Sequence, residues 1–262
     1  MGVSIMGRSC VKVGCCGFPY SKKKYYALFS LVEVQRTFYR LPEKRTLEKW
    51  RATAPGSFEF AVKAWQVITH PPSSPTWRKA GLRVEGNPEN YGYLKPTKEN
   101  LDAWSMVVEA AEILEARIIV LQTPPSFGYT SQNLENAREF FREARRIAPK
   151  IRIAWEPRGT WHERQDELRK IVVNSGIVHV VDLLRRRPVF LEDLLYTRLH
   201  GLGGKEVNYR YKYSDSDLQR LYTLVARYVE RGVNVYVLFN NVYMGDDALR
   251  FRNTVRDKGI AC

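Results

Sequence analysis

"IRIAWE", residues 151–156, alternates large apolar side chains with other residues and ends on a carboxylate. In an extended strand successive side chains point to opposite faces, so Ile151, Ile153 and Trp155 share one face while Glu156 lies on the other. "FEFAVK" (58–63) repeats the pattern: Phe58, Phe60 and Val62 on one side, Glu59, Ala61 and Lys63 on the other. Six further β-rich runs accompany them: "VKVG" (11–14), "LVEV" (31–34), "RIIVLQ" (117–122), "VHVVD" (178–182), "YTRLHG" (196–201) and "VNVYVLFNN" (233–241).

Longer segments with helical spacing separate these runs. "TKENLDAWSMVVEAAEILEA" sets Leu101, Trp104, Val108, Ala111 and Leu114 along one face, and "DSDLQRLYTLVARYVERG" opens with Asp and closes with Gly. Eight strands alternating with helices in 262 residues fit a single α/β domain, a (β/α)8 TIM-type barrel spanning 1–262. A doubly wound open sheet is the alternative, but "GCCGFPY" is not the glycine fingerprint expected at its first turn. The longest connection, about 69–96, is rich in Pro, Gly and Asn, as binding loops or lids are, with disorder as the other reading. Trp77, Tyr91 and Tyr93 argue against pure disorder.

Lys and Arg exceed Asp and Glu by 42 to 28, for a formal charge of +14, an excess that concentrates anions near the surface. Much of it falls on predicted helix faces; "LLRRRPV" (183–189) follows a strand and is better placed to meet a ligand. No run reaches membrane-span length and the N-terminus lacks a secretory apolar segment, so a cytoplasmic protein without membrane association is expected. The four cysteines have no zinc spacing. In a barrel the last helix returns to where strand one begins, which would bring Cys262 toward Cys10, and these two are expected to be able to bridge. Abundant ion-pairing residues and only four Met are compatible with a thermophile.

Strand parity turns Glu33, Lys63, Gln122, Glu156, Asp182, Arg198, His200 and Asn240 toward one mouth, the C-terminal end where barrel active sites are built. Singly, each could be a structural ion pair; together they suggest a task, because several ionisable groups in one mouth cost stability unless paired. The glycines of "HGLGG" follow the seventh strand, where these barrels commonly bind phosphate. The N–H groups of Gly201, Gly203 and Gly204, beside Lys205, could cradle an anion, or the stretch could be a plain loop.

"VEVQRTFYRLP", "FEFAVKAWQVITH", "LQTPPSF", "WEPRGTW", "RLHG", "YRYKY" and "FNN", in that order, resemble the YecE-like family, a domain of unknown function numbered seventy-two. The resemblance runs from about Val13 to the last helix and implies a (β/α)8 barrel. It brings Tyr20, Tyr39, His70, Arg158, Trp161, Gly201, Tyr211 and Asn241 into the shared pattern beside the residues parity selects. It implies no established reaction. Cys15 and Cys16 stand where hydroxyl residues are usual, Gln35 where Asn is usual, Pro157 where an apolar residue is usual, and Gly159 where His is common.

Three functions remain open. In the first, Glu156 or Asp182 is a general base, His200 an acid and Glu33 an orienting or second acidic group, acting on a small phosphorylated or carboxylated substrate. Mutual repulsion and burial would raise one carboxyl, and Lys63, Arg158 and Arg198 would bind the anion. In the second, the barrel binds or processes nucleic acid through its charge and Trp77, Tyr91 and Trp161. The third is a non-catalytic partner-binding scaffold. No cofactor or metal ligand set is expected; the carboxylates leave a divalent metal open, but Lys63 and two arginines would repel a cation.

Overall fold

A computed structural model describes residues 9–204 and 206–262. Eight strands form one parallel sheet: β1 (Val11–Cys16), β2 (Leu31–Val34), β3 (Glu59–Lys63), β4 (Ile118–Gln122), β5 (Arg152–Glu156), β6 (Val178–His179), β7 (Leu194–Leu199) and β8 (Asn234–Phe239). Their order is β6-β5-β4-β3-β2-β1-β8-β7. Ten helices lie between and after them: α1 (Lys22–Leu28), α2 (Arg36–Tyr39), α3 (Lys44–Thr53), α4 (Gln66–Thr69), α5 (Pro75–Ala80), α6 (Lys98–Ile113), α7 (Ser131–Ile147), α8 (Gln165–Ser175), α9 (Asp215–Glu230) and α10 (Met244–Asp257). This is the TIM-type barrel that the sequence predicts. Among the described residues no helix is long and apolar enough to cross a membrane.

The sixth strand is where expectation and structure part. "VHVVD" forms two ladder residues, because the chain changes partner within it. Val180 N still donates to Trp155 O on β5, whereas Val181 N donates to Tyr196 O and Arg198 N to Val181 O on β7. That single bridge, Val181 to Thr197, closes the barrel. Asp182 then starts a turn, its carbonyl accepting from Arg185 N and Arg186 N.

Parity sorts the core into two shells. Leu31, Ala61, Ile118, Val120, Ala154, Val180, Tyr196 and Leu238 fill the barrel interior. Phe60, Val62, Ile119, Leu121, Ile153, Trp155, Val235 and Val237 meet the helices. Helix α7 shows why such segments are helical: Thr130 caps its N-terminus by accepting from Asn133 N, and Ala137, Phe140, Phe141 and Ala144 repeat at three- and four-residue spacing on the buried face. Each such large apolar side chain contributes roughly 1.5–3 kcal/mol by leaving water. At the N-terminal end of the barrel, Glu59 is held by Lys12 and Tyr236.

The connection 69–96 is folded. It contains α5, a short 3-10 turn at Pro88–Asn90, a buried Trp77 whose indole donates to His70 O, and a fully buried Leu94. Leu94 N and Gly92 N donate to Ile68 O and Val67 O, stitching the segment onto α4. Cys10 and Cys262 are bridged, as expected, and Cys15 and Cys16 are buried free thiols. The bridge lies beside a short pairing of the chain end with β1, in which Val11 N donates to Ile260 O and Cys262 N to Val11 O.

Candidate active site at the barrel mouth

Arg198, the fifth residue of β7, points into the barrel and is fully buried. Its Nη2 lies 2.9 Å from Glu33 Oε1 on β2. Its Nη1 donates to Gln122 Oε1 at 2.7 Å and to Glu156 Oε2. Glu33 is completed by the Tyr196 hydroxyl, which donates to Oε2 at 2.8 Å, and by the Gln35 amide on Oε1. Glu156 Oε1 accepts from Arg158 Nε and Nη2, at 3.2 and 2.9 Å, and from His200 Nε2 at 2.9 Å. All four oxygens of the two glutamates are thereby engaged.

His200 Nε2 faces both Glu156 Oε1, at 2.9 Å, and Arg158 Nη2, at 3.3 Å. The Asn240 amide donates to Nδ1 at 3.1 Å, so Nδ1 is the acceptor and Nε2 carries the hydrogen given to Glu156. Burial drives its pKa down to about 4 despite that carboxylate, so the ring is neutral at pH 7. Burial alone would raise Glu156, but Arg198, His200 and Arg158 hold it well below the usual carboxylate range. The raised carboxyl is Asp182, pushed up to about 6 by burial. Its oxygens accept from Leu184 N at 3.1 Å and from the backbone N of His200 at 3.2 Å, so it meets the His200 main chain rather than the imidazole.

Lys63, last on β3, is buried with Nζ 3.2 Å from Gln122 Oε1 and 4.1 Å over the Phe38 ring. Burial and the charge of Arg198 lower its ammonium to about 7. Beside it His70, held by Thr69 Oγ1 at 2.8 Å and edge-on to Phe38, is pushed down to about 3 by burial, then by Lys63 and Arg158. Glu156, Arg158, His162, Asp182, Arg185, Arg186, His200 and Glu206 line a small cleft of about 20 Å³, room for about one water.

The structure gathers Glu33, Lys63, His70, Gln122, Glu156, Arg158, Asp182, Arg198, His200 and Asn240 at this mouth. Four other expected residues have work elsewhere. Trp161 is fully buried against Phe127 and Trp155, with its indole donating to Phe127 O, so it supports the wall and cannot touch a ligand. The Tyr211 hydroxyl donates to Asp217 Oδ2 at the start of α9, and Asn241 ties Tyr211 O to Asp247. The Gly201 N–H donates to the Tyr213 hydroxyl at 2.7 Å and is not free for an anion. A Cβ there would come 2.0 Å from Asn208 O with φ at +85°, so the glycine serves a tight backbone return. Lys205 lies outside the described residues.

Tyr20 packs on Gly245 and Tyr39 lies under Lys79, and neither lines the cleft. Within "RRRP", Arg185 holds Gly201 O at 2.5 Å and Arg186 holds His162 and Glu206, leaving Arg187 exposed. At Gly159 φ is +70° and a Cβ would meet Pro125 O at 2.6 Å, so a histidine would be strained there. The sequence reading missed Tyr196, Phe38, His162 and Glu206. Tyr196 carried a signal, since it shares parity with Arg198.

A family model described as "Protein of unknown function DUF72" matches residues 21–258. The chain belongs to the DUF72 family. The YecE-like resemblance of its motifs agrees with that membership. A curated relative, UPF0759 protein YunF of Bacillus subtilis, is 24% identical over 259 residues, covering 87% of this chain and 84% of its own. The crystal structure of a DUF72 family protein from Thermotoga maritima is similar at 24% identity and a TM-score of 0.66, over 94% of this chain and 99% of that one. Endonuclease IV from Thermus thermophilus shares the barrel at 12% identity and a TM-score of 0.54, over 95% and 97% of the two chains. At these identities the structural likenesses establish the fold alone. Among the described residues of this DUF72 barrel, no three His, Cys, Asp or Glu side chains converge as a metal site would require.

Proposed function

We propose that this barrel is an enzyme that uses general acid and base chemistry on a small anionic substrate at its C-terminal mouth. The observation that carries the reading is the division between two of the carboxyls that line the cleft. Glu156 is fixed as an anion by Arg198, Arg158 and His200, while Asp182, raised to about 6, is matched to proton transfer near neutral pH. Arg158 and Lys63 supply positive charge at the same opening. Arg158 uses Nε and Nη2 on Glu156, and its Nη1 has no hydrogen-bond partner among the described residues. A carboxylate or phosphate could dock there.

Nucleic-acid binding is the second reading, and it belongs to a different face. A groove of about 1270 Å³ between α1 and α3 is edged by Lys22, Lys23, Arg45 and Lys49 against one acid, Glu43, with Trp50 and Tyr26 in its wall. Burial, Arg36 and Lys49 together lower the Lys22 ammonium, as an uncompensated cluster of cations should.

Thermal unfolding against a panel of carboxylates, sugar phosphates and short oligonucleotides tests both. Ligands that bind only the native state raise the transition, by about 2.7 kcal/mol at a hundred times Kd. A small anion should stabilise the wild type and fail to stabilise Arg158→Ala. Stabilisation by oligonucleotides alone, lost in Lys22→Glu with Lys49→Glu, would favour the groove instead. If no small anion stabilises the wild type, the enzyme reading fails.

A further inference from the structure

Lys63 is a buried cation of the mouth that no carboxylate among the described residues holds. The carboxylates whose charge reaches it are Glu33 and Glu156, and their four oxygens are taken by Arg198, Gln35, Tyr196, Arg158 and His200. Nζ has left to it the neutral amide oxygen of Gln122 at 3.2 Å and the face of Phe38. Buried lysines are ordinarily paired. An amine enclosed by an aromatic ring and an amide, beside a fixed guanidinium, is instead set to lose its proton and attack a carbonyl.

We infer that Lys63 is a nucleophile whose Nζ forms an imine with the carbonyl carbon of a small oxo acid, the acid group of which docks on Nη1 of Arg158. The inference rests on the small-anion reading of this mouth and names the substrate class within it. Three observations support it together. Lys63 ends β3, so it lies at the C-terminal end of the barrel, where it is buried. Lys63 and Arg198 share the Gln122 amide oxygen, at 3.2 and 2.7 Å, and Arg198 and Arg158 share Glu156, so one side-chain network links Lys63 to Arg158. Burial and Arg198 bring the ammonium down to about 7, so a large share of the amine is neutral at neutral pH, against roughly one in 2,500 for a free lysine.

The chemistry balances without an oxidant or reductant. The nitrogen lone pair forms the C–N bond while the carbonyl π pair moves to oxygen, which takes a proton as nitrogen loses one. Loss of water from that carbinolamine, with a second proton on the departing hydroxyl, leaves the protonated imine.

Pyruvate with sodium cyanoborohydride at pH 7 is the test, read by intact mass and peptide mapping. One carboxyethyl group per chain is expected, on Lys63, at least about tenfold above any other lysine, and absent from that position in Lys63→Met. Should Lys63→Met fail to fold, labelling of the wild type against pH decides: Lys63 is expected to label at pH 7, whereas exposed lysines need alkaline conditions. Even labelling of all lysines overturns the inference. No adduct on Lys63, with Arg158-dependent stabilisation by carboxylates still present, overturns the imine and leaves the acid–base reading standing; loss of both overturns both.

Discussion

Arg198 is the residue on which the mouth depends. A fully buried guanidinium is tolerable because Glu33 and Glu156 neutralise it from opposite sides, and both glutamates in turn rely on it. Truncation should therefore be costly out of proportion to the lost contact. Arg198→Met is expected to lower unfolding stability by about 3–5 kcal/mol, because it leaves two buried carboxylates short of a cation. Adding Glu33→Gln should recover part of that loss, and a double-mutant cycle by urea unfolding measures the coupling. If Arg198→Met unfolds within about 1 kcal/mol of wild type, the pairs are no stronger than surface ones and the network does not hold the site. Arg158, at the edge of the same cluster, is the variant suited to binding tests because its loss leaves Glu156 with Arg198.

Strand β6 is the weak element of the sheet. Only two backbone hydrogen bonds join its continuation to β7, and the seam is reinforced by a side chain: Leu183 N donates to the buried Thr197 Oγ1 at 3.0 Å. Thr197→Val keeps the volume and strands that N–H, so a loss of about 1–3 kcal/mol is expected. Hydrogen exchange should quicken at Val181–Leu183 before it does in β1 or β8; unchanged protection there would show that Thr197 does not secure the closure. The other added fastening is the Cys10–Cys262 bridge, joining residues 252 apart. Unfolding in denaturant without reductant should expose two thiols, Cys15 and Cys16, and replacing both bridged cysteines by serine should cost about 2–4 kcal/mol. A count of four thiols would mean the bridge does not form in solution. These elements also mark where sequence can and cannot be read. Period-two alternation in "FEFAVK" and "IRIAWE" placed Lys63 and Glu156 on the inner face, because parity is a local property. The partner exchange within "VHVVD", the tight return at Gly201 and the wall role of Trp161 depend on which distant backbone comes near. No local spacing encodes that.

At the scale of the molecule, the histidines should set the acid stability. The sequence has four. All four are held below the free value, mainly by burial: His70 and His179 to about 3, His162 and His200 to about 4. A base with a depressed folded pKa binds its proton in the unfolded chain first, so between about pH 6.5 and 4 the unfolded state holds more protons and stability falls as pH falls. Asp182 acts oppositely. Its raised folded pKa, about 6, means that the native state binds that proton first, which favours folding as pH drops from 6 toward 3.8. Four imidazoles against Asp182 and Asp247, which burial also raises, leave a net uptake on unfolding of at most about three protons near pH 5. Below the ordinary carboxylate range, the depressed Glu156 adds to the loss. On the alkaline side Lys63, lowered to about 7, should make stability rise from pH 7 toward 10, since the unfolded lysine is still protonated there. Urea unfolding from pH 4 to 9 checks both limbs, and His200→Gln should flatten the acid limb by about one proton. A stability curve level between pH 6.5 and 4.5 would mean that the four imidazoles take up protons in the folded state. His200 would then be available as the acid that its place in the mouth suggests.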